Sequence, residues 1–402
     1  MKHERKQVVV IGAGQAGLAM GYYLAQHGID FVLLDSAKHI GDSWRSRWDS
    51  LALFTPTELD GLPGLPFPGP PGSYPSKDQM ADYLTRYAEH FNLPVRLDSP
   101  VTSLTRATSG RDAASPTSGR DAASPTSGRD AASPTSGRDA ASPTSGSYEI
   151  ATPGVHYEAQ RVVISIGAYQ TPFIPAFHAD LAEDVVQLHS SQYRSAAQLG
   201  PGNVIVVGTG NSGVQIAMDL SRTHQVFLSG RENRHLQKRF LGQDIQTLLD
   251  LLGATKIRLD APWFRKAMKR VRSRLQGPER RRTQGDRLVG SSLAEVTKEY
   301  ALRRVPRAVA ARGRQVVFDN GDSVRADNVI WATGFQWDAP WIHLPVFDDD
   351  GLPLHDGGPA PGAAGVYFLG LRYLRRFNSS LVCGVGRDAG VLASHIQQSF
   401  AS

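Results

Sequence analysis

The sequence predicts an α/β protein: parallel sheets flanked by helices. Three observations predict it. An apolar run, a glycine-rich turn, a helical pattern and a second apolar run follow one another twice, at 7–35 and at 204–229. Such β-α-β units build parallel sheets with helices on both faces. The chain has 402 residues, and single cores stop growing at about 250–300 residues, so two domains are expected. Hydrophobic residues at 41% and charged residues at 20% exclude wholesale disorder and fibrous repeats.

The elements justify themselves in order. Basic residues at 2–6 followed by Val8–Ile11 mimic a secretion leader, but Gly12, Gly14 and Gly17 break the apolar stretch. A strand at 7–11, a glycine turn and a helix over about 16–27 explain it better, with a strand at 31–35 next. Residues 51–76 are rich in Pro and Gly and read as irregular wrapping. Val101–Arg106 and Tyr148–Thr152 read as one hairpin. Its loop, 108–146, holds four perfect copies of Thr-Ser-Gly-Arg-Asp-Ala-Ala-Ser-Pro, from Thr108 to Pro143. Each copy has zero net charge and no large apolar side chain, so stacked copies would bury nothing. As a coil this insert spans roughly 33 Å. It reads as a passive, disordered loop, with a partner-binding or modified segment as the alternative.

The second unit has a strand at 204–207, a helix to about 221 and a strand at 226–229. Residues 241–300 look helical and irregular by turns. Within them, Trp263–Leu275 carries one apolar stripe with cations opposite. That pattern suits packing on its own domain or at a subunit contact, as in a homodimer, with an anionic membrane surface as the alternative. Residues 313–331 resume strands around an Asp319-Asn-Gly-Asp322 turn. No apolar run is long enough to predict a membrane span.

Charge decides little. Lys plus Arg exceeds Asp plus Glu by 44 − 38 = 6, which suits anionic cofactors as well as nucleic acid; no nucleic-acid partner is expected. The single cysteine, Cys383, excludes an intrachain disulfide, a thiolate zinc cage and a C-x-x-C redox pair. No metal site is expected. A reducing, cytoplasmic setting is, with Cys383 read as a buried inert thiol.

The chemistry sits in the two glycine turns. In Gly12-Ala-Gly14-Gln15-Ala-Gly17 the first glycine permits the tight turn, the second lets backbone approach a pyrophosphate, and the third lets helix pack on strand. The following helix offers unpaired amides and a positive dipole end to phosphate. Asp35, 18 residues past Gly17, ends the next strand, where a carboxylate accepts from ribose hydroxyls and repels a 2′-phosphate. The second turn, Gly208-Thr-Gly210-Asn211-Ser212-Gly213, repeats the design. Eighteen residues past Gly213 stands Arg231, a partner for a 2′-phosphate. Arg234, His235, Lys238 and Arg239 offer other cations nearby. The two sites therefore differ: the first for FAD, the second for NADPH, in two Rossmann-like domains. Together they imply a redox relay from nicotinamide to flavin.

At this point the chain resembles the flavin-containing monooxygenases, in their bacterial branch, over nearly its whole length outside the repeats. Besides the two glycine turns, the resemblance is carried by Gly41-Asp-Ser-Trp44-Arg45, Leu53-Phe-Thr55-Pro56 running on to Asp60-Gly-Leu-Pro63, Tyr74-Pro-Ser-Lys77 and Trp331-Ala-Thr333-Gly334-Phe335. Ser165-Ile-Gly167 is a degenerate counterpart of the Ala-Thr-Gly linker. The family's identifying motif survives only in its second half, His189-Ser-Ser-Gln-Tyr193, with Glu183 and Val185 where Phe and Gly are expected.

The resemblance implies a discontinuous FAD domain, 1–165 plus 305–402, with an NADPH domain at 166–304 between its parts. It implies that Trp44, Thr55 and Thr333 lie near the flavin ring, that Gly41, Arg45 and Gly334 help hold the cofactor, and that His189 and Tyr193 meet NADPH. Asn378-Ser-Ser resembles a helix start that closes on the flavin. The activity implied is monooxygenation: NADPH reduces FAD, and a flavin hydroperoxide formed with O2 oxygenates a soft nucleophile in a small molecule. No protein acid or base is named as catalytic. A Baeyer–Villiger monooxygenase and a non-catalytic NADPH-binding sensor are the competing readings.

Overall fold

The computed structural model describes residues 2–107, 146–231, 235–236, 239–240, 243–244, 288–289 and 292–401. The repeat copies, the 263–275 stripe, Arg234 and Lys238 lie outside them.

The first strand is β1 (Lys2–Ile11), longer than the apolar run. Its basic half is sheet, because Lys2–Lys6 pair in register with 155–159. After it come α1 (Gln15–Gln26), β2 (Phe31–Leu34), the single turn α2 (Asp42–Arg45) and α3 (Lys77–His90). Helix α3 starts at a capping box in which the Ser76 hydroxyl accepts from the Gln79 amide and the Gln79 side chain accepts from the Ser76 amide. Its buried face carries Met80, Tyr83, Leu84 and Tyr87. The Tyr83 hydroxyl accepts from the Leu62 amide at 2.6 Å and donates to the Leu65 carbonyl at 2.7 Å, and Tyr87 donates to the Pro63 carbonyl at 2.6 Å. These bonds pin the irregular 51–76 stretch; burial pushes Tyr83 up to about 12.

Then follow β3 (Val95–Arg96), β4 (Ser103–Arg106), β5 (Tyr148–Ala151), β6 (Val155–Ile164) and β7 (Thr171–Pro172). β4 and β5 pair antiparallel, as the hairpin reading expects. The second half of the chain gives β8 (Val186–His189), β9 (Asn203–Val207), α4 (Asn211–Leu220) and β10 (Gln225–Ser229). Four two-residue strands come next: β11 (His235–Leu236), β12 (Arg239–Phe240), β13 (Gln243–Asp244) and β14 (Leu288–Val289). They precede α5 (Leu293–Glu299), β15 (Arg303–Val305), β16 (Ala308–Arg312), β17 (Gln315–Phe318), β18 (Ser323–Arg325), β19 (Asn328–Trp331), β20 (Phe335–Gln336), β21 (Val366–Phe368) and α6 (Val382–Ala401).

Two sheets organise these elements. The first runs β3-β2-β1-β6-β5-β4, with β21 added parallel to β6. The second runs β15-β10-β9-β19-β8, every pair parallel. The α/β expectation holds, with a core under each sheet. β19 inserts between β9 and β8, so Asn328–Trp331 belong to the second sheet. Local patterning reads strands over 313–331 but cannot show which sheet claims the last of them.

Candidate functional site

Both glycine turns sit at the carboxyl edge of their sheet's leading strand, and they are built alike. The Gly12 amide donates to the Leu34 carbonyl at 2.7 Å and the Gly208 amide to the Ser229 carbonyl at 2.8 Å. Gly12 has φ +99° and Gly208 φ +123°, backbone that other L residues rarely adopt. A Cβ on Gly17 would stand 1.8 Å from the Gly12 carbonyl oxygen, and one on Gly213 2.0 Å from that of Gly208. Gly14 and Gly210 are the opposite: a Cβ there meets nothing within 4 Å. They are also the N-caps of α1 and α4, and neither supplies a side-chain cap. Each helix thus opens beside unfilled space, starting at Gln15 in α1 and at Asn211 and Ser212 in α4. That is the geometry a pyrophosphate requires, so the residues fit two dinucleotides.

Each turn is backed by a linker from a distant stretch. The Ser165 hydroxyl donates to the Ile11 and Gly12 carbonyls at 2.9 Å. Its carbonyl oxygen lies 2.7 Å from where a Gly12 Cβ would be. In the second turn the Ala332 amide donates to the Val207 carbonyl at 2.8 Å, and the Ala332 carbonyl oxygen lies 2.2 Å from a Gly208 Cβ position. The degenerate Ser165-Ile-Gly167 therefore does for one turn what Ala332-Thr333-Gly334 does for the other. The two linkers also hold each other. β7 pairs with β20, the Phe173 amide donates to the Gly334 carbonyl at 2.9 Å, and the Thr333 hydroxyl donates to the Phe173 carbonyl.

Arg47, which no motif singles out, clamps this crossing. Its guanidinium lies 5.5 Å from the centre of the Tyr169 ring and 5.7 Å from that of Phe335, one aromatic from each linker. Burial lowers its pKa, with Arg194 adding to the effect and Tyr169 opposing it.

The remaining candidates divide. Asp35 directly follows β2, and its carboxylate accepts from the Ala13 amide at 2.6 Å and the Ala37 amide at 2.9 Å. It braces the first turn directly. Arg231 is exposed beyond β10, its carbonyl accepting from the Thr209 hydroxyl at 2.7 Å. Gly41 caps α2 at φ 88°, pressed against the Ala81 backbone. Trp44 donates from Nε1 to the Gln15 side chain at 3.4 Å, joining α2 to the first turn. Arg45 binds the Ile40 carbonyl at 2.6 Å and the Asp82 carboxylate at 2.9 Å, tying α2 to α3. Thr55 is buried and donates to Asp60 Oδ1 at 2.5 Å.

Three candidates are held by partners within the chain. Tyr193 is 0% exposed, packs in the core of the second sheet and donates its hydroxyl to Asp219 on α4 at 2.8 Å. His189 is 1% exposed. Its Nδ1 pairs with the Ser191 hydroxyl at 2.9 Å and its Nε2 with the Gly334 carbonyl at 3.0 Å, edge-on to Phe335. It fastens the linker to β8. Asn378 precedes a helix but does not start it: α6 begins at Val382, with the Val385 amide bonded to the Leu381 carbonyl at 3.0 Å.

His189 has a consequence for pH. Burial is the main cause holding its pKa below the ordinary 6.5. The folded state therefore binds this proton less readily than the unfolded one. The stability that depends on neutral His189 is complete above 6.5 and is lost as pH falls from there through the lowered folded value. Below pH 6.5 the wild type is expected to lose stability with a steeper slope than His189→Gln. The difference should not exceed about 1.4 kcal/mol per pH unit, the ceiling for one proton. Urea unfolding of both proteins across that range measures it.

With this geometry in view, comparison with known proteins identifies the family. The profile of the pyridine nucleotide-disulphide oxidoreductases matches residues 9–114 and 140–250. The chain belongs to that family. It is 35% identical over 391 residues to an uncharacterized CzcO-like oxidoreductase of Geobacillus kaustophilus, covering 97% of both chains. It is 25% identical over 403 residues to the probable indole-3-pyruvate monooxygenase YUCCA3 of Arabidopsis thaliana, covering 93% of this chain and 84% of the relative. Among solved structures, the flavin-containing monooxygenase of Stenotrophomonas maltophilia superposes with a TM-score of 0.72 at 22% identity, over 99% of this chain and all of that one. Within the family the chain groups with the flavin-containing monooxygenases, as its motifs imply. It is an enzyme of the oxidoreductase class. Among the described residues no helix is long and apolar enough to cross a membrane, and no cluster of His, Cys, Asp and Glu could hold a metal ion.

Proposed function

We propose that this enzyme is a flavin-dependent monooxygenase: FAD in the first turn, NADPH in the second, and transfer of one oxygen atom from O2 to a soft nucleophile such as a sulfide or amine. The observation that carries it is the crossed pair of linkers. They back both phosphate-binding turns and hydrogen-bond to one another, which draws the carboxyl edges of the two sheets to one crossing. Two dinucleotides seated there would meet with their reactive rings between the sheets.

The division of the chain follows. The FAD unit comprises the first sheet with α1, α3 and α6, and the NADPH unit the second sheet with α4. The bound flavin would accept a hydride from NADPH and activate oxygen. The chain's own work is binding, orientation and exclusion of water. The amides opening α1 and α4 hold the phosphates. Asp35 meets the ribose of FAD with lone pairs its two amide bonds leave over, and Arg231 pairs with the 2′-phosphate of NADPH. Trp44 and Thr55 line the flavin side. His189, through Gly334, and Arg47, through Tyr169 and Phe335, keep the crossing from opening to solvent.

The test is spectroscopic. Flavin released by denaturation should be FAD. Under anaerobic conditions NADPH should bleach the bound flavin with a far lower half-saturating concentration than NADH. FMN in place of FAD, or equal response to the two nicotinamides, would contradict this assignment of the two turns.

A further inference from the structure

A cation at the linker crossing lacks a counter-charge among the described residues. The Arg47 side chain donates from Nε to the Ser43 carbonyl at 3.1 Å. Its two terminal nitrogens donate to no group among the described residues, and neither is sealed from solvent. No carboxylate of the described residues pairs with it, and the nearest charge it feels is a second cation, Arg194. Arg194 points one nitrogen at the Ser191 and Tyr193 carbonyls, at 2.8 and 3.0 Å. A half-buried guanidinium among rings and another cation is costly until an anion joins it.

The surroundings say what kind of anion fits. Two terminal N–H groups in one plane match the two oxygens of a carboxylate. Tyr169, 53% exposed, has the Arg47 guanidinium 5.5 Å from its ring centre and that of Arg372 at 5.7 Å. Phe335 flanks Arg47 at 5.7 Å. These rings add apolar surface for the group that carries the charge. In the arrangement proposed above, the cofactors' own anions are placed elsewhere, at the openings of α1 and α4 and at Arg231. What remains to meet the crossing is the molecule to be oxygenated.

We propose that Arg47 receives a carboxylate on the substrate, so that the preferred acceptors are sulfides or amines bearing a negative charge. The guanidinium anchors one end of the molecule and leaves its sulfur or nitrogen for the reaction. The chemistry that follows rests on the monooxygenase reading; the binding of the carboxylate does not.

The probes are (phenylthio)acetate and the neutral (phenylthio)acetamide, which share a sulfide and differ in charge. Each is titrated by calorimetry into the oxidised, FAD-loaded, full-length enzyme, with and without saturating NADP+. No turnover occurs under these conditions. The acid should bind about tenfold more tightly than the amide in both series, as a charge-assisted pair allows. Arg47→Gln should bring the two affinities within about twofold of each other. Arg47→Lys keeps the charge without the planar fork and should fall between. Damage to the crossing alone would weaken both probes and leave their ratio standing, so the ratio is the readout. Equal affinities in the wild type, or no measurable binding of the acid, would overturn the proposal. So would an acid advantage that survives Arg47→Gln, or one that NADP+ abolishes, which would give Arg47 to a cofactor phosphate. Acid binding through Arg47 without any oxygenated product on adding NADPH and O2 would sink the monooxygenase reading and leave the carboxylate seat standing.

Discussion

Gly17→Ala is expected to abolish FAD binding and to destabilise the fold by about 3 kcal/mol, at the upper end of ordinary overpacking costs. The added Cβ would lie 1.8 Å from the Gly12 carbonyl oxygen and 3.0 Å from the Ser165 hydroxyl. Neither contact is with the loose end of a side chain, so α1 has to move off β1 and carry the turn with it. Gly14→Ala separates structure from ligand. Its Cβ meets no protein atom within 4 Å, so the melting temperature of the apoprotein should hardly change. FAD affinity should still fall at least about tenfold, because the methyl occupies the space of the pyrophosphate. Gly210→Ala should do the same to NADPH while FAD stays bound. Thermal unfolding with and without added cofactor, paired with flavin content on purification, measures all three.

Arg231→Ala is expected to lower kcat/KM for NADPH by about 10–100-fold and to change that for NADH by less than about twofold. An arginine on a phosphate contributes about 1.5–3 kcal/mol through charge-assisted hydrogen bonds. NADH carries no 2′-phosphate to lose. The asymmetry is the informative part, since a merely structural effect would slow both reductants together. Arg231 is exposed, and the bond from Thr209 reaches its backbone carbonyl, not its side chain. The substitution should therefore leave the second turn in place. Steady-state kinetics with both nicotinamides decide the outcome.

The parts of this molecule that the sequence made legible are those written in local spacing. A strand, three glycines at fixed offsets and a helix fall within about 30 residues, and the terminal Asp35 or Arg231 completes each set. What remained hidden depends on contacts between residues more than a hundred positions apart. Ser165 backs Gly12 and Ala332 backs Gly208 across such distances. Nothing periodic in either linker announces it. Arg47 holds two aromatics that the chain supplies 122 and 288 residues later, at Tyr169 and Phe335.

His189 and Tyr193 are the instructive pair. A motif fragment suggests cofactor contact, and what it could not show is that the two side chains bond internal partners, Gly334 and Asp219. The lost first half of that motif, with Glu183 and Val185 in its place, is consistent with a segment kept for packing. Thr55 was placed near the flavin from resemblance. Its short bond to the buried Asp60 could not be read from the intervening Pro-Thr-Glu-Leu.

The most direct test of the whole reading is to supply NADPH and isotopically labelled O2 to the FAD-loaded enzyme and follow where the label goes. A panel of sulfides, amines and ketones serves as acceptors, with peroxide measured alongside. The account predicts a sulfide or amine product carrying one labelled oxygen atom for each NADPH consumed, with little peroxide. Recovery of all consumed oxygen as peroxide with every acceptor, or label entering only ketones as esters, would contradict it.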